Sequence, residues 1–401
     1  MNDAPGARTG SAAEVFRVAL KLGLTSFGGP IAHLGYFERA YVQERRWLSA
    51  AEFTGLVGLC QLLPGPTSSQ VGFLVGLRRA GWPGALAAWT GFTLPSALLM
   101  YAFALLASRA QGPAMEAMVH GLMLTAVAIV AQAVWNMARS LCPDWQRMVI
   151  ALLATVLLLL HGSPGMQLAA MSAGALAGWL LCRGVQLPEF TPAARPNCAA
   201  AWMMVALSCG LLLALPALAL LDPHGSFALA SIFYRAGALV FGGGHVVLPL
   251  LRDALVPGGW MSDDTFLTGY GFAQGMPGPL FTFAAYLGAV SASPHASALW
   301  AIIALIAIFL PGLLLASAGM SLWSRLAHAP AAPAILAGIN AAVVGVLGAA
   351  LYNPVWTAGI STSVDVAVAA AGFLLLQRWR IPPILVVALC VVASALTALL
   401  G

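Results

Sequence analysis

Two hydrophobic stretches are interrupted by the same tripeptide, Pro64-Gly65-Pro66 and Pro277-Gly278-Pro279. Proline has no amide hydrogen and clashes with the preceding helical turn. Two prolines around a glycine therefore break a helix in mid-run. The break leaves unpaired amides at the start of the second half-helix, and those amides attract an anion together with the helix dipole. Thr67, Ser68, Ser69 and Gln70 follow the first break and add hydroxyl and amide donors. Leu280, Phe281 and Thr282 follow the second, so the first half looks like the ligand-facing one. A kink that only shapes a helix bundle is the rival reading, and its recurrence at matched positions weighs against it.

Further groups recur around these breaks. Gly28-Gly29-Pro30 and Gly242-Gly243-Gly244 end apolar helical stretches. Such backbone wraps an anion or lets another helix pack close. Lys21 and Arg235 each stand six residues before the phenylalanine of these segments. Inside a bilayer they are costly and functional; near its edge they snorkel. His33 and His245 lie just past the glycines and suit an oxyanion contact, proton carriage or a plain interfacial position. Gln61 and Gln274 occupy the same place before the PGP breaks. The loop ERAYVQERRW holds Arg45 and Arg46 in the densest charge cluster of the chain, either an anchoring loop or an anion entrance.

Other chemistry finds no footing. Glu52, Glu116, Asp263 and Asp264 lie near the starts of apolar runs, and Asp365 has no counterpart in the first half. A cation site of buried carboxylates is therefore not expected. The six cysteines form no CxxC pair and no Cys/His cluster with metal spacing, so no metal is expected. HExxH, a nucleophile elbow and a GxGxxG following a strand are all missing, so neither an enzyme nor a cofactor is expected.

The elements that must position these residues are membrane helices. Of 401 residues, 61% are hydrophobic and 8% are charged, too few charges to cover a soluble surface. This excludes a soluble enzyme, a disulfide scaffold and a disordered chain. The net charge of +5 sits in short loops, as a positive-inside bias expects, and offers no basic face to nucleic acid. No signal peptide is expected at the polar N-terminus.

Apolar runs fall at 13–29, 52–77, 84–107, 117–138, 147–161 and 166–182, then at 199–221, 229–250, 265–290, 296–320, 333–353, 355–376 and 382–400. Residues 183–198, with Pro188, Pro192 and Pro196, read as a linker. The domains expected are a repeat over 1–182, a linker with one extra span over 183–228, and a second repeat over 229–401. The length of the runs excludes a strand-built barrel.

The two halves echo each other. KLGLTSFGGPIAHL from Lys21 matches RAGALVFGGGHVVL from Arg235, and CQLLPGP from Cys60 matches AQGMPGP from Ala273. Trp47 and Phe53 match Trp260 and Phe266. Matched, Gly/Pro-interrupted segments in two halves point to the binding site of a secondary transporter. If 52–77 crosses the membrane, seven crossings separate the repeats and they are inverted; if it re-enters, six do and they are parallel.

FGGPIAHLGYFERAYVQERRWLSAAEF followed by CQLLPGPTSSQVGFLVGLRRAGWPGA closely resembles the chromate ion transporter family in its long, two-domain form. The resemblance rests on Phe27 to Pro30, His33, Arg45 to Leu48, Glu52, Phe53, Gln61, Pro64 to Thr67, Gln70, Gly76 and Gly81. It covers essentially the whole chain. It implies export of chromate across the bacterial inner membrane, driven by the proton motive force, with two oppositely oriented domains. That favours 52–77 and 265–290 as broken crossings. Sulfate is a substrate of similar shape and charge. The second half departs from the pattern at Gly244, where Pro30 stands in the first. Glycine-rich faces allow a homodimer.

Overall fold

The computed structural model describes residues 10–27, 29–107, 112–161, 164–182, 198–241, 244–292, 295–327 and 331–400. The protein is an all-α polytopic membrane protein, and among the described residues five helices are long and apolar enough to cross a bilayer. Most of the expected linker, together with Gly28, Gly242 and Gly243, lies outside the described residues.

The first half opens with α1 (Ala12–Thr25) and α2 (Gly29–Glu38), separated by the FGG break. A one-turn π-helix (Arg39–Glu44) continues α2. These arms form a hairpin. Glu14 near the start of α1 pairs with Arg79 at 3.3 Å, and the Arg79 guanidinium lies 5.2 Å over the Trp47 ring, just past the π-helix. The chain therefore leaves the membrane on the side from which it entered.

The next segment turns back too. α3 (Ala50–Leu62) starts at a capping box formed by Ser49 and Glu52. The PGP break follows, then α4 (Thr67–Ala107). Glu52 at the mouth of α3 is ion-paired with Arg78, twenty-six residues later. Two arms of about 20 Å, at 1.5 Å per residue, thus run in and out with PGP at the tip. α4 is itself folded at Ala80–Gly81, where Gly81 has φ +66°. Phe73 and Trp82 meet across that fold, ring to ring at 6.1 Å, so 67–79 closes the hairpin and 82–107 crosses the membrane.

α5 (Pro113–Leu141), α6 (Trp145–Leu160), α7 (Pro164–Leu181) and α8 (Cys198–Ala219) complete the path to the second half. There α9 (Ser226–Leu239) and α10 (Val247–Leu255) form the counterpart of the first hairpin. His224 before it and Trp260 after it meet at 5.5 Å. α11 (Asp263–Gln274) and α12 (Phe283–Val290) form the second hairpin. The Tyr286 hydroxyl donates to the Thr265 carbonyl at 3.0 Å, closing its base.

α13 (Ser297–Ala327) and α14 (Ala332–Ala350) follow. α14 runs through a π turn into α15 (Thr357–Gly359), and α16 (Ser363–Arg378) and α17 (Pro383–Leu400) end the chain. The expected span 355–376 is therefore cut at Ile360, where Thr362 and Asp365 cap a new helix.

The broken crossings expected at 52–77 and 265–290 are re-entrant hairpins instead. Hydropathy cannot separate one crossing from two short arms, because both bury the same run. The segment at 13–29 re-enters as well. Among the described residues five helices lie between the hairpins of the two halves: 82–107, α5 and α8, within helices long and apolar enough to cross a bilayer, and the shorter apolar α6 and α7. Their odd number inverts the second half. Ser297, at the start of α13, sits 3.2 Å from the Tyr101 hydroxyl near the far end of 82–107, while Phe309 lies beside Trp89. The hairpin bases therefore lie on opposite sides, and their tips meet between them.

The halves also exchange helices. α14 packs against α6 and α7, and α5 packs against α16 and α17. Glycine permits the close approach: a Cβ on Gly178 would lie 2.6 Å from the Gly338 Cα, and one on Gly121 would lie 2.8 Å from the Val391 nitrogen.

Candidate functional site

The PGP tips are tied to the opposite half. The Gly65 amide donates to the Val240 carbonyl at 2.7 Å, and the Gly278 amide donates to the Ser26 carbonyl at 2.9 Å. Ser26 and Val240 occupy the same repeat position, one residue before the FGG motif. Each PGP tip thus bonds the FGG break of its partner repeat. Gly65 has φ +119° and Gly278 has φ +91°, conformations only glycine adopts without strain. A Cβ at 65 would lie 2.9 Å from the Gly312 Cα, and one at 278 would lie 2.7 Å from the Ser96 hydroxyl. Gly312 follows Pro311 in α13, and Ser96 follows Pro95 in α4.

The amides within the breaks are distinct from those expected to be unpaired at the start of each second half-helix. Those of Gly65 and Gly278 are engaged. By helix geometry the donors left are those of Thr67, Ser68 and Ser69, which precede the Gln70 amide to Pro66 carbonyl bond at 3.0 Å, and those of Leu280 and Phe281, which precede the Thr282 amide to Pro279 carbonyl bond at 3.1 Å.

Around these amides lies a buried polar cluster made by the first half. It contains Ser26, His33, Ser68, Ser69, Gln70, Thr93 and Ser96, all buried. His33 Nδ1 shares a 3.4 Å hydrogen bond with the Ser68 hydroxyl, and the His33 ring meets Phe92 edge-on. Ser96 donates to the Thr93 carbonyl at 3.2 Å. Gln70 Nε2 donates to the Pro64 carbonyl at 2.8 Å and to the Gly312 carbonyl at 2.9 Å, holding the tip against α13. Ser26 Oγ, His33 Nε2, Ser69 Oγ, Gln70 Oε1 and Thr93 Oγ1 are buried with no protein partner. Each such group costs about 1–3 kcal/mol when left unpaired, so a polar partner, ligand or water, is expected there. At matched positions the second half has Val240, Phe281, Phe283 and Phe309. Thr282 stands where Ser69 does and donates to the Pro279 carbonyl at 2.8 Å, and Gln274 Nε2 before the second break is buried with no protein partner.

The other expected residues are dispersed. Pro64, Pro66, Pro277 and Pro279 are buried at the tips, and Thr67 is half-buried. Gly29 opens α2 with φ +77°. Gln61 is exposed on α3, so its alignment with the half-buried Gln274 carries no shared site. His245 Nδ1 is bound to the Tyr270 hydroxyl at 2.9 Å. Lys21 is exposed on α1. Arg235 is exposed on α9 and lines a cavity of its own. Arg45 pairs with Glu44 at 3.5 Å, and Arg46 is exposed with φ +51°. Both sit at the hairpin base, about 20 Å from the tip by the length of α3. One ion cannot touch them and the Ser68 amide together.

The sequence reading missed Ser26, Thr93 and Ser96. Their only signal is small polar residues at a helix break and around Pro95 within an apolar run. Among the described residues no group of three or more His, Cys, Asp or Glu gathers as metal ligands.

The family model described as Chromate transporter matches residues 13–179 and again 227–395. The chain is 29% identical over 377 residues to a protein of Pseudomonas aeruginosa named Chromate transport protein, covering 92% of this chain and 87% of that one. It is 29% identical over 336 residues to a protein of Synechococcus elongatus named Probable chromate transport protein, covering 83% and 81%. It is 27% identical over 342 residues to a Cupriavidus metallidurans protein named Chromate transport protein, covering 83% and 80%. No solved structure matches. With two matched regions spanning most of its length, one in each inverted half, this chain belongs to the chromate transporter family.

Proposed function

We propose that the protein is a secondary transporter that exports chromate across the bacterial inner membrane, driven by the proton motive force. The repeats are taken as 1–182 and 229–401, with 183–228 a linker carrying one extra span. The observation that carries the reading is the set of buried, partnerless polar groups beside the Thr67–Ser69 amides, all at the tips of re-entrant hairpins. A tetrahedral dianion offers several acceptor oxygens to such donors and cancels their desolvation cost. His33 Nε2 supplies either a donor or a proton-accepting site.

The cluster is closed to water, so loading requires the tips to move. An ion arrives past the basic hairpin base at Arg45 and Arg46, or from the opposite face past Arg235. It sits against Ser68, His33 and the adjoining amides, and leaves when the inverted half rearranges. Relatives with the name chromate transport protein support chromate as the ion. Sulfate shares its geometry and charge and is the second substrate to test.

The experiment is uptake of chromate and of sulfate by liposomes carrying the purified protein, with and without an imposed pH gradient. Saturable, gradient-dependent flux is expected, and it is lost in the T67A/S68A variant at unchanged protein level. Non-saturating flux would indicate a channel, and no flux at all a structural protein.

A further inference from the structure

A cavity of about 280 Å³ lies among α7, α9 and α10. Gln167, Arg235 and Asp253 are its polar lining, among apolar neighbours such as Ile232 and Leu250. It stands beside the hairpin base of the second half, because Asp253 adjoins Arg252, whose guanidinium grips Asp263 at the start of α11 with two bonds of 2.8 Å. The first half's basic loop lies on the opposite side.

The charges in this cavity are arranged unequally. Among the described residues Arg235 has no carboxylate within ion-pair distance, although Asp253 lines the same space. Asp253 is held away from it: Gln167 Nε2 donates to Asp253 Oδ2, and Arg252 lies 3.7 Å from Asp253 Oδ1. Gln167 Oε1 is buried and partnerless. A cationic head facing open volume, with the nearby carboxylate diverted, leaves an unfilled anion position.

We propose that this cavity is a second oxyanion site on the face opposite Arg45 and Arg46, with Arg235 as its ligand and Asp253 as the charge that opposes occupancy. The proposal rests on the transport reading above. The volume admits a tetrahedral oxyanion with water. While ionised, Asp253 repels it across a partly desolvated space. Protonating Asp253 removes that repulsion, so proton and oxyanion favour each other's binding at this place by linkage. The groups facing Asp253 are Arg252 on its own helix, Arg235 from α9, Gln167 from α7 and Asp263 from α11 through Arg252. His245, ahead of α10, is engaged by Tyr270, and α14 brings no charged residue to α10.

The test is half-saturation of chromate flux in liposomes against pH, for wild type, R235Q, R235K and D253N. R235Q should raise half-saturation about tenfold, with R235K between it and wild type. D253N should lower half-saturation several-fold and flatten the fall that wild type shows toward acid pH. Asparagine keeps the bond to Gln167, and the Arg252–Asp263 pair is untouched, so D253N folds. An unchanged half-saturation in either R235Q or D253N, or a shift in the same direction in both, would overturn the proposal. A wild-type protein without flux would instead overturn the transport reading itself.

Discussion

Gly65 of the first repeat and Val240 of the second are joined by a 2.7 Å backbone hydrogen bond, and the inverted repeat repeats the bond between Gly278 and Ser26 at 2.9 Å. The pairing is reciprocal: each repeat supplies a PGP donor and an FGG-flanking acceptor. The tips of four re-entrant hairpins are thereby held at one level in the membrane. Nothing lipid-facing could satisfy these broken chain ends, so each half completes the other. Movement of one tip is felt directly by the opposite half.

Substituting the donor glycines should break this junction. Alanine at Gly65 or Gly278 meets both an unfavourable φ and a neighbour under 3 Å away. The backbone strain alone costs about 1–3 kcal/mol. G65A and G278A should lower the melting temperature in detergent and abolish flux. Gly29 also has a positive φ but has open space around its missing Cβ, so G29A should be the milder change.

Gln70 supports the first tip through two carbonyls, Pro64 and Gly312. Q70L orphans both at roughly 1–3 kcal/mol each. Melting should fall in Q70L more than in Q70E, whose carboxyl can donate when protonated. Equal stability of Q70L and wild type would remove Gln70 as a tip support.

Ser26 and Thr93 should behave in the opposite way. Their hydroxyls have no protein partner, so S26A and T93V relieve a desolvation cost. We expect unchanged or raised melting temperatures with at least tenfold weaker chromate transport. A variant that loses stability but keeps transport would class its hydroxyl as structural.

At the base, Glu52 and Arg78 close the first PGP hairpin. The pair is partly buried, between an exposed bridge and a desolvated one, so E52Q should cost roughly 1–2 kcal/mol. The exchange E52R/R78E should recover part of the lost melting temperature. Arg45 and Arg46 are farther out, and in the proposed route they attract the ion. R45Q/R46Q should raise half-saturation a few-fold at low salt and have little effect at high salt, with maximal flux retained.

Much of this organisation is legible in the residues. The duplication, the paired breaks and the donor-rich first half follow from PGP and TSSQ read against MPGP and LFT. The inversion also holds, but through five passes instead of seven. What the sequence hides is direction at each break, since proline and glycine mark where a helix stops and not where the chain goes next. The clue was present in Glu52 and Arg78, two opposite charges flanking one apolar run at equal distance from PGP. Ser26, Thr93 and Ser96 were not legible as candidate site residues because the packing of α1 on α4, with the Gly278 tip against both, is what gathers them. Arg45, Arg46 and Gln61 looked like site residues from their place in the motif, yet hairpin geometry puts them at the base or on an exposed face.

By the proposed mechanism a tetrahedral oxyanion lodges at the hairpin tips of the first half. A structure of the protein soaked in chromate, with the chromium located by its anomalous scattering, tests this directly. A chromium peak is expected within hydrogen-bonding reach of the Ser68 amide and His33 Nε2. Chromium found only at the Arg45–Arg46 loop, or beside the second half's Phe281 and Phe283, would contradict it.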